Sequence, residues 1–120
     1  MKIITEKIKI ELLRDMMLNM FGNFIKAVID VEKEIMAIDG ELHADEEALL
    51  LVNGSKQENL WGINIYTELP KEERVEFDSM INLRPRQGNR TRSVDDPEVR
   101  NKIIKIVNIL IEDENSAQKP

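Results

Sequence analysis

The sequence predicts an α+β domain: a four-stranded antiparallel sheet with about three helices packed on one face. Segments with a helical period alternate with segments of strand-like alternation, in the order helix, strand pair, helix, strand pair, helix. The chain has 120 residues, of which 42% are hydrophobic, and this suits a single domain with one core. We expect that domain to span residues 1–112 and residues 113–120 to form a polar, disordered tail.

The first two helices are predicted from apolar spacing and from signals at their ends. Apolar residues recur three and four positions apart up to residue 21, and Gly22 then suits a left-handed C-terminal cap. This pattern predicts a helix that begins at about residue 8 or 10. A second helix is predicted over about 46–53, with Asp45 as its N-cap because a carboxylate accepts hydrogen bonds from the first amides.

The third helix has the clearest signals. Asp95 or Asp96 supplies an N-cap, and Pro97 fits the first helical turn, where a missing N–H costs nothing. One apolar stripe then follows, formed by Val99, Ile103, Ile106, Val107 and Leu110. We expect this stripe to pack against the sheet.

Four strands are predicted, over residues 24–31, 35–38, 60–66 and 75–83. The connection between the first two lacks the glycine or asparagine that a tight hairpin prefers. In the third strand Trp61 alternates with polar and small residues, which predicts that its ring faces the core.

The last two strands also predict a polar surface. If their connecting loop is symmetric, Asp78 lies opposite Gly62, where the missing side chain leaves a gap. The polar side of the pair would display Asn64, Tyr66, Asp78, Asn82 and Arg84. A gap lined by polar groups is a possible pocket.

An arginine-rich loop follows the last predicted strand. The chain is acidic, with a net charge of -6, yet residues 84–92 contain four arginines and no acid. Guanidinium groups match phosphate and carboxylate oxygens, and Gly88 with Asn89 allows backbone amides to converge on an anion. No Walker A pattern accompanies them. The alternative is that these arginines pair with the acid-rich run at residues 41–47 or lie in solvent.

The only histidine, His43, suggests a different site. If residues 40–45 are extended, Glu41, His43 and Asp45 point to the same side, and Asp78 would be a fourth group. An imidazole between carboxylates suits a general base or a mononuclear metal site. The alternative is a structural histidine, and the spacing matches no metal motif, so we predict no metal and no cofactor.

Composition limits the remaining choices. The chain has no cysteine, which excludes disulfides, a thiol nucleophile and Cys-ligated metals. It has no apolar run of signal-peptide or membrane-span length, so we expect a cytoplasmic protein that makes no membrane contact. A pI near 4.9 argues against bulk DNA binding.

Three strings, residues 40–45, 53–66 and 81–90, carry a family resemblance. Together they resemble an uncharacterised family of short bacterial and archaeal proteins to which no activity is assigned. The likeness covers residues 1 to about 111. It implies a domain of unknown function and transfers no catalytic or binding residue.

The sequence therefore favours a binding or regulatory domain over an enzyme. We expect it to hold an anionic ligand, such as a nucleotide, a phosphorylated or carboxylate-bearing metabolite or an RNA end. The candidate ligand-binding residues are Asn64, Asn82, Arg84, Arg86, Asn89, Arg90 and Arg92.

Two alternatives remain open. One is a homo-oligomeric interaction protein that pairs through exposed sheet surface or through the final helix, where Ile104, Ile109 and Ile111 lie partly off the main stripe. The other is a hydrolase built on His43, with Glu41, Asp45 or Asp78 as its candidate catalytic partner.

Overall fold

A computed structural model of the chain describes residues 1–19 and 22–113. Its α-helices are α1 (Ile10–Leu18), α2 (His43–Val52) and α3 (Pro97–Leu110). Its strands are β1 (Lys2–Ile4), β2 (Ile8–Lys9), β3 (Ile25–Asp30), β4 (Ile35–Ile38), β5 (Leu60–Ile65), β6 (Val75–Glu76) and β7 (Ile111–Glu112). Short 3₁₀ helices occur at Gln57–Asn59, Met80–Asn82 and Pro85–Gln87. The α+β class predicted from the sequence is confirmed.

The main sheet is antiparallel and has the strand order β1-β4-β3-β5-β6. It has five strands rather than the four predicted, because β1 pairs with β4 at one edge. This strand is only three residues long, too short to show a period of two in the sequence. A separate two-stranded parallel sheet joins β2 to β7 and brings both ends of the domain together.

Both faces of the sheet are covered. Ile25, Ala27 and Ile29 of β3 belong to the larger core, which includes buried residues of α1 and α3. Val28, between them, belongs to a smaller core on the other face, together with Leu50 of α2. The prediction placed all three helices on one face, whereas α2 covers the opposite face, so the polar side of β5 lies under protein rather than in water.

The β3–β4 turn contains no glycine and is stabilised instead by a buried carboxylate. Oδ1 of Asp30 accepts hydrogen bonds from the amides of Glu32 and Lys33, both at 2.9 Å, and Oδ2 accepts one from Ser55 Oγ at 2.6 Å. Glu34 then adopts a positive φ of 59°. Asp30 thus explains how this connection forms a tight turn without glycine.

The predicted strand over 75–83 is the largest local difference. Strand β6 ends at Glu76, and a 3₁₀ helix occupies Met80–Asn82. Gly62 accommodates this helix closely, since a Cβ built on Gly62 would lie 2.6 Å from the Cβ of Ser79. The side chain of Asn82, not a strand, pairs with the backbone of Gly62. The two pairs that form, Asn64 with Glu76 and Ile65 with Val75, have the predicted register, in which Asp78 would lie opposite Gly62, but β6 ends before that pair.

The helix ends combine confirmed and corrected predictions. Asp96 caps α3 through a 2.9 Å hydrogen bond from the Glu98 amide. Gly22 has the left-handed φ that was predicted, 92°, but α1 ends at Leu18 with Asn19 as its C-cap, so Gly22 does not cap this helix. Helix α2 begins at His43, so Asp45 lies inside its first turn instead of capping it. Residues 20 and 21, which the predicted first helix includes, lie outside the described residues.

The C-terminal end of the domain is held by a buried arginine. Arg74 is 1% exposed, and its guanidinium donates to Asp113 at 2.6 Å and to Asn108 at 3.0 Å. Asp113, which the prediction assigned to the tail, is thus attached to the domain. The rest of the predicted tail, residues 114–120, lies outside the described part of the chain.

No described helix has the length and apolar character needed to cross a membrane.

Candidate functional site

The arginine-rich loop folds as a small hairpin of its own. The backbones of Arg84 and Asn89 pair at 2.9 and 3.1 Å, and Gly88 makes the turn with a φ of 84°. A buried side chain fixes this hairpin: Nδ2 of Asn89 donates to the carbonyls of Asn82, Thr91 and Ser93 at 2.7 to 3.0 Å. The Asn89 and Asn82 amides are thus occupied by the fold and do not face a ligand.

Arg84, one of the candidate ligand-binding residues, turns into the protein. Its guanidinium donates to the backbone carbonyls of Gln57 and Leu60, and its carbon Cζ lies 4.1 Å from the centre of the Trp61 ring. Burial lowers the pKa of Arg84 from its usual value, with Glu47 opposing the shift. Arg84 therefore closes the end of β5, and the prediction that Trp61 faces the core is confirmed by its 5% exposure.

The other three arginines point to different surroundings. Nε of Arg92 donates to Oδ1 of Asp78 at 2.7 Å in a partly exposed ion pair. Arg86 and Arg90 are exposed, and within the described residues their guanidiniums make no hydrogen bond or ion pair. The four guanidiniums therefore share no binding partner among the described residues.

The histidine site also differs from its prediction. Because α2 begins at His43, the extended alternation that would align Glu41, His43 and Asp45 is absent. Nε2 of His43 lies 2.7 Å from the carbonyl oxygen of Ile63, and since a carbonyl can only accept, Nε2 carries the proton. The pKa of His43 is lowered from its usual value, mainly because the ring is buried. The ring is thus neutral near pH 7, with Nδ1 left as an acceptor.

Glu41 does not join His43. Its side chain is exposed, and its backbone carbonyl accepts a 2.8 Å hydrogen bond from Lys26 Nζ. In the part of the chain that the structure describes, no three acidic or histidine side chains are grouped as metal ligands would be. The His43-centred hydrolase therefore lacks the carboxylate partner that the sequence suggested at Glu41.

A surface cavity of about 360 Å³ brings together four of the predicted site residues. His43, Asn64, Asp78 and Arg92 lie on its walls, although they come from four separate parts of the sequence. The sequence analysis did not identify the other wall residues, which are Phe24, Lys26, Leu42, Ala44, Ser79, Met80 and Ile81. The cavity lies on the face of the sheet that α2 covers.

Asn64 has an unmet hydrogen-bonding group at this cavity. Its side chain is 6% exposed, and Nδ2 donates to Oε1 of Glu76 at 2.8 Å. That bond assigns the NH₂ end of the amide to Glu76, and Oδ1 is left without a partner among the described residues. A buried polar atom without a partner costs about 1–3 kcal/mol, so a ligand that donates to it would gain this energy.

The N-terminus of α2 also faces the cavity. The first amides of a helix have no partner within it, and no side chain caps α2. Leu42, His43 and Ala44, which form this end, all line the cavity. The helix dipole and free amides favour a negative group here.

A second cavity, of about 450 Å³, shares Phe24, Lys26 and Leu42 with the first. Among its described lining residues, none has a buried polar atom that lacks a partner. It therefore offers fewer specific contacts than the cavity at Asn64.

Glu46 is a buried acid that the sequence analysis considered only as part of the acid-rich run at residues 41–47. It is 0% exposed, and Oε2 accepts a 3.0 Å hydrogen bond from the Gly40 amide. Burial raises its pKa to about 9, with smaller contributions of the same sign from Asp39 and Asp45. The Gly40 hydrogen bond and Lys26 oppose this rise. Glu46 is thus a neutral acid that packs against Gly40. A Cβ built on Gly40 would lie only 2.7 Å from Cγ of Glu46.

Fold and site together define a small α+β domain whose described residues form a polar, partly unsatisfied surface cavity. The chain belongs to the family described as a protein of unknown function (DUF5674), which matches residues 2–110. The resemblance to an uncharacterised family is thereby confirmed. No curated protein and no solved structure matches the chain.

Proposed function

We propose that this domain binds a small molecule through a carboxylate or phosphate group in the cavity beside Asn64. Two cations, Arg92 and Lys26, lie on its wall together with the uncapped N-terminus of α2. The observation that carries the proposal is the meeting of these positive groups on the wall of one concavity. Anion recognition in proteins commonly combines a helix N-terminus with arginine or lysine.

Arg92 is suited to hold the charged group. Its Nε is used by Asp78, while its two terminal NH₂ groups make no hydrogen bond within the described residues. Lys26 Nζ uses one donor on the Glu41 carbonyl and retains two more. Both side chains can therefore add a ligand contact without breaking the contacts they already make.

This proposal moves the anion site from the arginine-rich loop to the neighbouring cavity. Of the four arginines, only Arg92 lies on the cavity wall. Nucleotides, phosphorylated metabolites and RNA ends stay among the ligand classes to be tested. We also propose a cytoplasmic binding or regulatory role, because the chain has no cysteine and because His43 and Asp78 already have partners.

Calorimetry and thermal unfolding with defined anions test the proposal. The panel contains inorganic phosphate, AMP, glucose 6-phosphate, a 5′-phosphorylated RNA trinucleotide and aliphatic carboxylates. A ligand present at 100 times its Kd adds about 2.7 kcal/mol of stability, which raises the Tm of a domain this size by several degrees. No response from any of these anions, or from the carboxylate-bearing amino acids tested below, would remove the proposal.

A pair of matched variants then places the ligand. Arg92→Ala should weaken binding of the responding anion by about tenfold or more, since a charged hydrogen bond is lost. Arg86→Ala removes the same charge from an exposed position and should leave the affinity unchanged. Equal losses in both variants would mean that the ligand follows the arginine-rich loop rather than the cavity.

Homo-oligomerisation is the alternative proposal. Of the three isoleucines that suggested it, Ile111 is buried in β7 and Ile109 is 50% exposed at the surface of α3. Ile104 is half-buried. A single exposed isoleucine supplies little apolar area for an interface. Light scattering at micromolar concentration tests this alternative, which requires a mass larger than the 13.9 kDa of one chain.

A further inference from the structure

The cavity that we propose as the anion site also presents hydrogen-bond acceptors. The first is Oδ1 of Asn64, which has no partner among the described residues and less than 1 Å² of accessible surface, so a ligand reaches it only after a small movement of the wall. The second is Asp78, where Oδ1 is used by Arg92 and no described residue donates to Oδ2. The third is Nδ1 of His43, because the single proton of the neutral ring lies on Nε2 and is donated to Ile63. All three residues line the cavity.

These acceptors do not suit a ligand that is only an anion. An anion bound to Arg92 lies close to the Asp78 carboxylate, and like charges at short range repel each other. Oxygen atoms of such a ligand would also leave Oδ1 of Asn64 without a donor. A phosphate or a simple carboxylate is therefore attracted by Arg92, but it is repelled by Asp78 and offers no donor to Asn64.

From this arrangement, and on the basis of the function proposed above, we infer that the ligand is a zwitterion: a small amino acid that carries both an ammonium and a carboxylate group. Its carboxylate binds Arg92, Lys26 and the N-terminal amides of α2. Its ammonium donates to Asp78 and to Oδ1 of Asn64. The Asp78–Arg92 pair then holds one charge of the ligand on each partner, and neither wall charge is left facing a like charge.

The apolar part of the wall indicates what the rest of the ligand is. Phe24, Leu42, Met80 and Ile81 line the same cavity, and Met80 and Leu42 are 62% and 55% exposed. A ligand with an apolar side chain covers these residues and removes their surface from water. A cavity of about 360 Å³ lies near the small end of ligand sites, which fits one amino acid better than a dinucleotide.

Leucine and two analogues that each lack one of its charged groups test the inference by calorimetry. Leucine carries both charges, 4-methylpentanoate lacks the amino group, and 3-methylbutylamine lacks the carboxylate. Leucine should bind at least about tenfold more tightly than either analogue. Methionine and phenylalanine, each with its corresponding acid and amine, should show the same order. Glycine, which has no side chain to cover the apolar wall, should bind more weakly than leucine.

A matched pair of variants identifies the ammonium contact. Asp78→Asn should reduce the affinity for leucine by about tenfold and leave that for 4-methylpentanoate unchanged or higher, because the repulsive charge is gone. Asp15→Asn removes an exposed carboxylate of α1 outside the cavity and should change neither affinity. The Asp78–Arg92 pair is partly exposed, so the fold should persist, which far-ultraviolet circular dichroism verifies.

The outcomes separate the inference from the function on which it rests. If 4-methylpentanoate binds as tightly as leucine and needs Arg92, the cavity is an anion site and the zwitterion inference is overturned. If only AMP or glucose 6-phosphate binds, the inference is likewise overturned while the proposed function stands. If neither panel gives binding, both fail. Equal effects of Asp78→Asn on leucine and on 4-methylpentanoate would also overturn the inference.

Discussion

The side chain of Asn82 pairs with the backbone of Gly62 as a neighbouring strand would. The Gly62 amide donates to Oδ1 of Asn82 at 2.8 Å, and Nδ2 of Asn82 donates to the Gly62 carbonyl at 2.9 Å. The same Nδ2 group donates to the Arg92 carbonyl, also at 2.9 Å. One buried side chain thus completes the edge of β5 beyond β6 and attaches the segment that carries Arg92 to the sheet.

Replacement of Asn82 by alanine should be strongly destabilising. The Gly62 amide and carbonyl would both lose their partner inside the protein, and each buried unsatisfied group costs about 1–3 kcal/mol. We expect a loss of about 2–4 kcal/mol in the free energy of unfolding, measured by urea denaturation. Asn101→Ala on the exposed face of α3 is the control and should change stability by less than about 0.5 kcal/mol. A loss for Asn82→Ala as small as the control's would show that water replaces the side chain.

Gly62 should not tolerate a side chain. An added Cβ would lie 2.6 Å from Cβ and Oγ of Ser79 and 3.1 Å from Cγ1 of Ile81, so the 3₁₀ helix at Met80–Asn82 must move. Gly62→Ala is expected to cost about 1–3 kcal/mol of unfolding free energy, as overpacking usually does.

A double substitution checks that this cost is steric. Ser79→Gly removes the atoms that the new Cβ would strike, so the loss in Gly62→Ala/Ser79→Gly should be smaller than the sum of the two single losses by about 0.5 kcal/mol or more. Urea denaturation of the four proteins gives the coupling energy. Strict additivity would point instead to a backbone effect at Gly62.

Arg84 is expected to act on stability and not on ligand binding. Arg84→Met keeps the apolar stem but loses the hydrogen bonds to the carbonyls of Gln57 and Leu60 and the contact with the Trp61 ring. The loss should be about 1–3 kcal/mol, whereas Arg86→Met at an exposed position should be near zero. Chemical denaturation measures both values. If Arg84→Met instead lowered the ligand affinity and left the unfolding free energy unchanged, Arg84 would belong to the binding site.

Much of the fold could be predicted because its signals are local. The stripe and cap of α3 and the alternation of β5 are each contained within a few consecutive residues, and the structure confirms them. The alternation over residues 75–83 is just as regular in sequence, but its outcome depends on Gly62, which accepts the Asn82 side chain from a position 20 residues away. The start of α2 was missed because Leu42, which has no capping group, precedes it.

The site could be predicted only in part for the same reason. Four wall residues, His43, Asn64, Asp78 and Arg92, were chosen as polar groups in otherwise ordered segments. Arg84 was chosen with them, yet its direction depends on Trp61 and on backbone carbonyls more than 20 residues distant. No sequence pattern indicates which polar residues fold inward and which remain on a cavity wall.

The buried acid Glu46 should make stability depend on pH in a direction opposite to that of most carboxylates. Its pKa is about 9 in the folded protein and 4.5 as the reference value, so unfolding between these limits releases a proton. The contribution to stability is therefore complete below about pH 4.5 and is lost as pH rises toward 9, by up to about 1.4 kcal/mol per pH unit.

Glu46→Gln keeps an acceptor for the Gly40 amide but has no proton to lose, so its stability relative to the natural protein should increase from pH 5 to pH 9. Urea denaturation at pH 5, 7 and 9 measures this change, with Glu11→Gln, an exposed position of α1, as the control. If Glu46→Gln follows the natural protein in parallel across this range, Glu46 is ionised in the fold and must have a partner that neutralises it.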